Sequence, residues 1–250
     1  MTRRLLFIFA HPDDESFGVA GIARMYADSG AEIALVTATR GNEGRAGEPP
    51  ICSREDLPAL REAELRRAAA LLGIGHLYVL DYLDKRLTEA PPDKIRRELI
   101  EIIRRHRPQI AVTFDPNGAS QHSDHIAISR FAMDAIVAAA DARWHPSAGP
   151  PHQVERLLWA MPVMPWEAPK SADLTREPGV DFLIDTSKYV DVKAAALRAH
   201  RTQHVSINRH FFDLPDLEQI LSVETFQQVF GPAPTRRPAL TLEDGLDYGP

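Results

Sequence analysis

The residues able to do chemistry crowd into one short stretch near the start of the chain, Ala10-His11-Pro12-Asp13-Asp14-Glu15. A histidine and three carboxylates follow directly on the apolar run Leu5 to Ala10. Titratable groups this close to a core are costly to desolvate without an electrostatic partner, and a divalent cation meets that cost. His11 and Asp14 reach one ion because Pro12 stiffens the turn between them. Asp13 then points beside the ion rather than at it, the place for a base that takes a proton from an attacking water.

A second concentration comes much later, at His122-Ser123-Asp124-His125. A His-x-x-His pair at a predicted helix start puts both imidazoles on one face, a turn apart. Two histidines, one carboxylate and a position left for water make a hydrolytic zinc site. Spacing alone leaves open which of His122 and His125 is the ligand. A different chemistry also fits the first loop taken alone: an acidic strand end holding Mg²⁺ against a phosphate, in a phosphoesterase or nucleotide binder. Imidazoles favour zinc over magnesium, and two histidine loops weigh towards the hydrolytic reading.

The stretch Ala10 to Glu15 resembles the signature of the LmbE-like/PIG-L zinc deacetylases, which remove acetyl groups from N-acetylglucosamine conjugates. Further stretches resemble the same family: the loop Thr39-Arg40-Gly41-Asn42-Glu43-Gly44, the Arg61-x-x-Glu64 spacing, Asp84-Lys85-Arg86-Leu87, and Lys193-x-x-Ala196-Leu197-x-x-His200-x-Thr202-Gln203. The resemblance runs from about residue 4 to residue 226. It implies one Zn²⁺ per chain on His11, Asp14 and His125, with Asp13 as general base. It implies that His122, held by Asp124, stabilises or protonates the tetrahedral intermediate, and that Arg61 and Asp84 contact the sugar. The expected substrate is a small-molecule glycoconjugate, its aglycone unspecified. An amidase cutting an S-conjugate amide on the same sugar is the near alternative. A non-catalytic sugar-binding relative would have lost Asp13 or a ligand, and this chain keeps them.

The chain departs from the family pattern at Asn42, where many members carry Glu, and at Lys85, where they carry Gly. Ser120 stands where some members have a tyrosine assigned to the oxyanion, and Ser123 replaces a proline. His200, on a helix beside alanines, reads as structural. Arg61, Glu64 and Arg67 at i, i+3 and i+6 also fit a solvated, salt-bridged helix face.

The elements that must position these groups follow an alternating rhythm. Strands are expected at 5–10, 32–38, 77–80, 109–114, 156–161 and a last one at 182–184. Helices are expected at 17–29, 54–72, 92–106, 126–140 and 188–204. Strand–helix–strand units make parallel sheets, and ligands bind outside the carboxyl ends of their strands. The expectation is a single α/β domain over 1–250, a Rossmann-like, mostly parallel sheet flanked by helices. The proline- and tryptophan-rich stretch 144–180 reads as loops over the pocket, and 232–250 as an irregular tail.

Composition excludes other classes. The net charge is −6, the pI near 5.9, and no basic stripe appears, which argues against nucleic acid and against an anionic membrane surface. The single Cys52 precludes an intramolecular disulfide, so a cytoplasmic location is the simplest expectation. Nothing beside Cys52 would lower its pKa, so it is not read as a nucleophile. No stretch has the length of a membrane span. A homo-oligomer is compatible with all of this.

Overall fold

The computed structural model describes residues 2–247, so the last three residues of the expected tail lie outside it. Seven strands form one sheet in the order β3-β2-β1-β4-β5-β7-β6. They are β1 (Arg4–Phe9), β2 (Glu32–Thr39), β3 (His76–Tyr82), β4 (Ile110–Thr113), β5 (Arg156–Ala160), β6 (Phe182–Asp185) and β7 (Val223–Phe230). The first five run parallel, while β7 pairs antiparallel with both β5 and β6. β1 lies between β2 and β4 and is covered on both faces. That is why Leu5 to Phe9 form an unbroken apolar run, each at most 1% exposed.

The helices that carry the argument are α1 (Asp14–Gly18), α2 (Ala20–Asp28), α3 (Leu57–Leu72), α4 (Pro92–His106), α5 (Gly118–Gln121), α6 (Ser123–Ala139) and α7 (Val190–Ala199). α4 packs on α6, while α3 packs on α2 and α7. The chain leaves β1 toward β2 on one side, then returns from β3 to β4 on the other side of β1. The crevice between the carboxyl ends of β1 and β4 is therefore the topological switch point of the sheet.

Several boundaries differ from the sequence expectation. The helix expected at 17–29 begins at Asp14 and is broken at Val19 (φ −140°). The helix expected from 54 starts at Leu57, with Pro58 in its first turn, where a missing N–H costs nothing. The helix expected at 188–204 runs from Val190 to Ala199, and 201–212 continues as a 3-10 turn, a short α turn and a π turn. The strand at 182–184 is not the last, because β7 follows it. β7 matters to the first loop: Glu224 accepts from the N–H groups of Gly21 and Ile22 at 2.7 and 2.9 Å, the open amides at the start of α2. The same carboxylate meets Lys193 Nζ at 2.9 Å, tying β7 to α7 as well. The stretch 232–247 is irregular but packed: Ala239 and Leu242 are buried, and Arg156 donates to the Leu242 carbonyl.

Candidate active site

His11 is the second residue past β1, and the turn after it is shaped by side chains. Asp14 Oδ2 accepts from the N–H groups of Ala10 and His11 at 3.1 and 2.8 Å, satisfying two amides that the sheet no longer pairs. Asp13 sits between them at φ 115°, a left-handed conformation that costs an L-residue energy and persists only where its surroundings impose it. Its own N–H donates to Glu15 Oε2 at 3.0 Å, and Glu15 Oε1 meets His200 Nε2 at 2.7 Å, with both side chains fully buried. On the other side Arg61 donates to the Pro12 carbonyl and lies 3.3 Å from Asp13 Oδ2.

From β4 the chain passes through a tight loop in which Gly118, Ala119 and Gln121 all have positive φ. It enters α6 at His122, whose Nδ1 accepts the N–H of Asp124 at 3.2 Å as a helix cap. Gly118 is required here: a Cβ would stand 2.7 Å from that of His125. The Phe114 ring stacks flat on His125 at 4.1 Å.

These two loops bring His11, Asp14 and His125 together. His11 Nδ1 lies 3.1 Å from His125 Nε2, His125 Nε2 lies 3.3 Å from Asp14 Oδ1, and His11 Nδ1 lies 3.7 Å from Asp14 Oδ2. Donors that each stand about 2.0–2.1 Å from a tetrahedral zinc are about 3.3 Å apart, so the spacing fits such an ion. The far nitrogens fix the tautomers. His125 Nδ1 faces the Gly118 carbonyl at 3.2 Å, and His11 Nε2 faces the carboxylates of Asp124 and Asp84 at 3.1 and 3.2 Å. Both acceptors need a proton from the ring, so both remaining nitrogens present lone pairs to one point. Two lone pairs at 3.1 Å repel unless a cation lies between them, either a metal ion or a proton carried by one of the rings.

The electrostatics agree. Burial alone would lower the pKa of His11, but its hydrogen bonds to Asp124 and Asp84 and the charge of Asp14 outweigh burial and push it up to about 10. Asp14 is shifted strongly down: burial opposes ionisation, and the charge and hydrogen bond of His125 overcome it. Burial likewise opposes the charge on Asp84, yet the hydrogen bond from His11 brings it down to about 2. Asp13 moves the other way. Burial pushes its carboxyl up to about 6, with Arg61 pulling against the rise. His122 is lowered by burial and by the facing His11 and His125, so its ring is neutral at pH 7.

Two sequence expectations change. Asp124 does not hold His122 through its carboxylate: Oδ2 takes His11 and the Lys85 N–H, and Oδ1 takes the Leu87 N–H at 3.1 Å. Asp124 is thus the clasp between the β3 and β4 loops. Arg61 and Glu64 are not on a solvated face, being 3% and 0% exposed; only Arg67 is exposed. Glu64 accepts from Thr202 Oγ1 and N at 2.6 and 3.0 Å, anchoring the turn after α7 onto α3. Asp81 lies in β3, exposed and paired with Arg40, away from the crevice. Asp84 lies in the crevice, engaged by His11 and by the N–H of Glu43 at 2.9 Å.

The loop after β2 has a definite task. Arg61 Nη1 donates to the Gly41 carbonyl at 2.8 Å, and a Cβ on Gly41 or Gly44 would stand 2.1 or 2.3 Å from that nitrogen. The two glycines are the space in which the guanidinium lies. Asn42, at the position where many family members carry Glu, is bonded to Glu43 instead.

The resulting cavity holds about 310 Å³. His11, Asp13, Asp14, Asp84, His122, His125 and Arg61 line its floor, together with Ser120 and Lys85. Its remaining wall is more apolar, with Phe17, Met161, Met164 and Trp166 beside Gln203, Ser206 and His210. The two methionines and Trp166 come from the 144–180 stretch expected over the pocket. Phe17, Ser206 and His210 were not foreseen; each is an ordinary residue for its element, and only the fold brings it here.

An open α/β sheet with this histidine–carboxylate cluster at its switch point is the setting of the LmbE-like deacetylases. The family model described as GlcNAc-PI de-N-acetylase, PIG-L, matches residues 6–136, and the chain belongs to that family. It is 35% identical to a 1D-myo-inositol 2-acetamido-2-deoxy-alpha-D-glucopyranoside deacetylase of Streptomyces griseus over 92% of this chain and 84% of the relative. A deacetylase of the same name from Thermobifida fusca is also 35% identical, over 94% and 96%. The solved N,N'-diacetylchitobiose deacetylase of Pyrococcus horikoshii superposes with a TM-score of 0.71 at 21% identity, over 91% of this chain and 84% of that one. Among the described residues, no helix is long and apolar enough to cross a membrane.

Proposed function

We propose that this protein is a zinc-dependent hydrolase that removes an N-acetyl group from a small N-acetylglucosamine-type conjugate. The observation that carries the reading is the convergence of the His11 Nδ1 and His125 Nε2 lone pairs with Asp14 at one point, beside Asp13. His11, Asp14 and His125 would hold the ion, and the second-layer carboxylates of Asp84 and Asp124 would orient His11. When bound, the zinc supplies Lewis-acid polarisation of water and of the amide carbonyl.

The chain's own residues do the rest. Asp13, held out of register by its left-handed backbone, takes the proton of the attacking water. Arg61 fixes the Asp13 carboxylate from the far side rather than reaching for solvent. His122 accepts the Asp124 N–H at Nδ1, so its ring proton sits on Nε2. It is a neutral hydrogen-bond donor in the cavity, suited to the developing oxyanion, while the proton that Asp13 took from the water is the one passed on to the leaving amine. Ser120, also in the cavity, is the small residue where some relatives carry tyrosine; His122 therefore bears more of the oxyanion. Asp84 contacts sugar hydroxyls only with whatever acceptor capacity His11 and Glu43 leave. The apolar wall of Phe17, Met164 and Trp166 receives the part of the conjugate beyond the acetamido sugar.

The test is metal analysis of the purified protein with acetate and amine release from N-acetylglucosamine conjugates, before and after chelation and zinc return. About one equivalent at this centre, with release that falls on chelation and returns with zinc, supports the reading. Release that chelation leaves untouched, or turnover of phosphate esters alone, overturns it. Release of a cysteine-derived acyl group in place of acetate would make it the S-conjugate amidase.

A further inference from the structure

At the amino-terminal edge of the sheet, the opposite end from the active-site crevice, three other metal-ligating side chains meet. Glu32 opens β2, His76 opens β3 and His106 closes α4. One ligand atom from each lies within 4.8 Å of the others. His106 is buried, and its Nε2 stands 3.0 Å from the Leu5 carbonyl. A carbonyl only accepts, so Nε2 carries the proton and Nδ1 presents its lone pair. The His76 ring sits edge-on to it, with centroids 5.5 Å apart. Arg4 Nε holds Glu32 Oε2 at 3.0 Å, and a carboxylate has a second oxygen to offer.

We propose that Glu32, His76 and His106 form a second metal site, for a zinc-like transition-metal ion, separate from the strand-end centre. Two imidazoles and one carboxylate select zinc and its neighbours over magnesium or calcium, which prefer all-oxygen shells. The carbonyl behind His106 is the support that metal-ligating histidines use: it fixes the ring and points the other nitrogen outward. Glu32 and His76 are exposed, so the ion enters from solvent and water completes its shell. Each ligand comes from a different element, so the ion ties the end of α4 to the starts of β2 and β3.

The experiment is calorimetric titration of the chelator-stripped full chain with Zn²⁺, with bound metal counted by elemental analysis after desalting. Two equivalents are expected for the native chain, and one for His76→Ala, a surface substitution that keeps N-deacetylation intact. Glu32→Gln is expected to weaken the second equivalent at least tenfold. In His125→Ala, which loses a donor at the strand-end centre, one equivalent remains and disappears when His76→Ala is added. A native count of one equivalent that His76→Ala leaves unchanged, or a second equivalent that survives His76→Ala, overturns the proposal. Neither result bears on the active-site reading, whose own test is acetate release.

Discussion

Two arginines, each 3% exposed, show how differently one buried charge is used in two regions of this molecule. At the corner where α4 meets α6, Arg104 gives its guanidinium to main-chain carbonyls alone, those of Ala139, Asp141, Trp144, His145 and Gly149, at 2.9 to 3.3 Å. It closes the end of α6 and the loop beyond. In the crevice, Arg61 meets two carbonyls and one carboxylate, Asp13, and its buried Nε has no partner among the described residues. A charge satisfied wholly by neutral acceptors is a fastener. One shared with an ionisable group, and left partly unsatisfied, is bound up with chemistry.

Substitutions can break or sharpen that contrast. The largest effect is expected from Asp13→Asn, which removes the group Arg61 faces: kcat/KM should fall by about 10²–10⁴ with zinc content unchanged by elemental analysis. Arg61→Ala should cost on the order of 10²-fold in kcat/KM, because the base loses its fixed position, while circular dichroism stays native. If Arg61→Ala kept full activity, the two arginines would be equivalent fasteners. Gly41→Ala should resemble it in milder form. The added Cβ would collide with the Arg61 guanidinium and push it aside, and a φ of +64° strains an L-residue, so activity drops together with thermal stability. Arg104→Ala is expected to lower stability by about 3 kcal/mol in urea titration, with activity per folded molecule unchanged, since it abandons buried carbonyls far from the crevice. Cys52→Ser should alter neither rate nor melting temperature.

The sequence disclosed local chemistry better than partnership. His11, Asp13, Asp14 and His125 are adjacent to strand ends or a helix start, so their types and spacing already carry their meaning. The choice of His125 over His122 needed the family pattern. Asp124 shows where one-dimensional reading stops: its neighbour in sequence is His122, but its carboxylate turns to His11 and to two amides of the β3 loop. That pairing depends on how β1, β3 and β4 are ordered in the sheet. Arg61 and Glu64 failed for a related reason. Charges at i and i+3 look the same whether a helix faces water or a polar crevice, and only the packing of α3 on α7 distinguishes the two. β7 was missed because Val223-Glu-Thr-Phe-Gln-Gln-Val-Phe230 carries a glutamate and two glutamines in eight residues. Glu224 is there to receive the α2 amides, a use invisible along the chain.

That last contact sets an order on synthesis. His11, Asp13 and Asp14 are synthesised well before the carboxylate that secures the start of α2, which lies 203 residues beyond Gly21. At about 5–20 residues per second, the nascent chain spends about ten seconds or more with its acidic loop made and its final brace missing. The catalytic crevice is thus begun by β1 and braced by β7, and the growing chain acquires that brace only once β7 has been made.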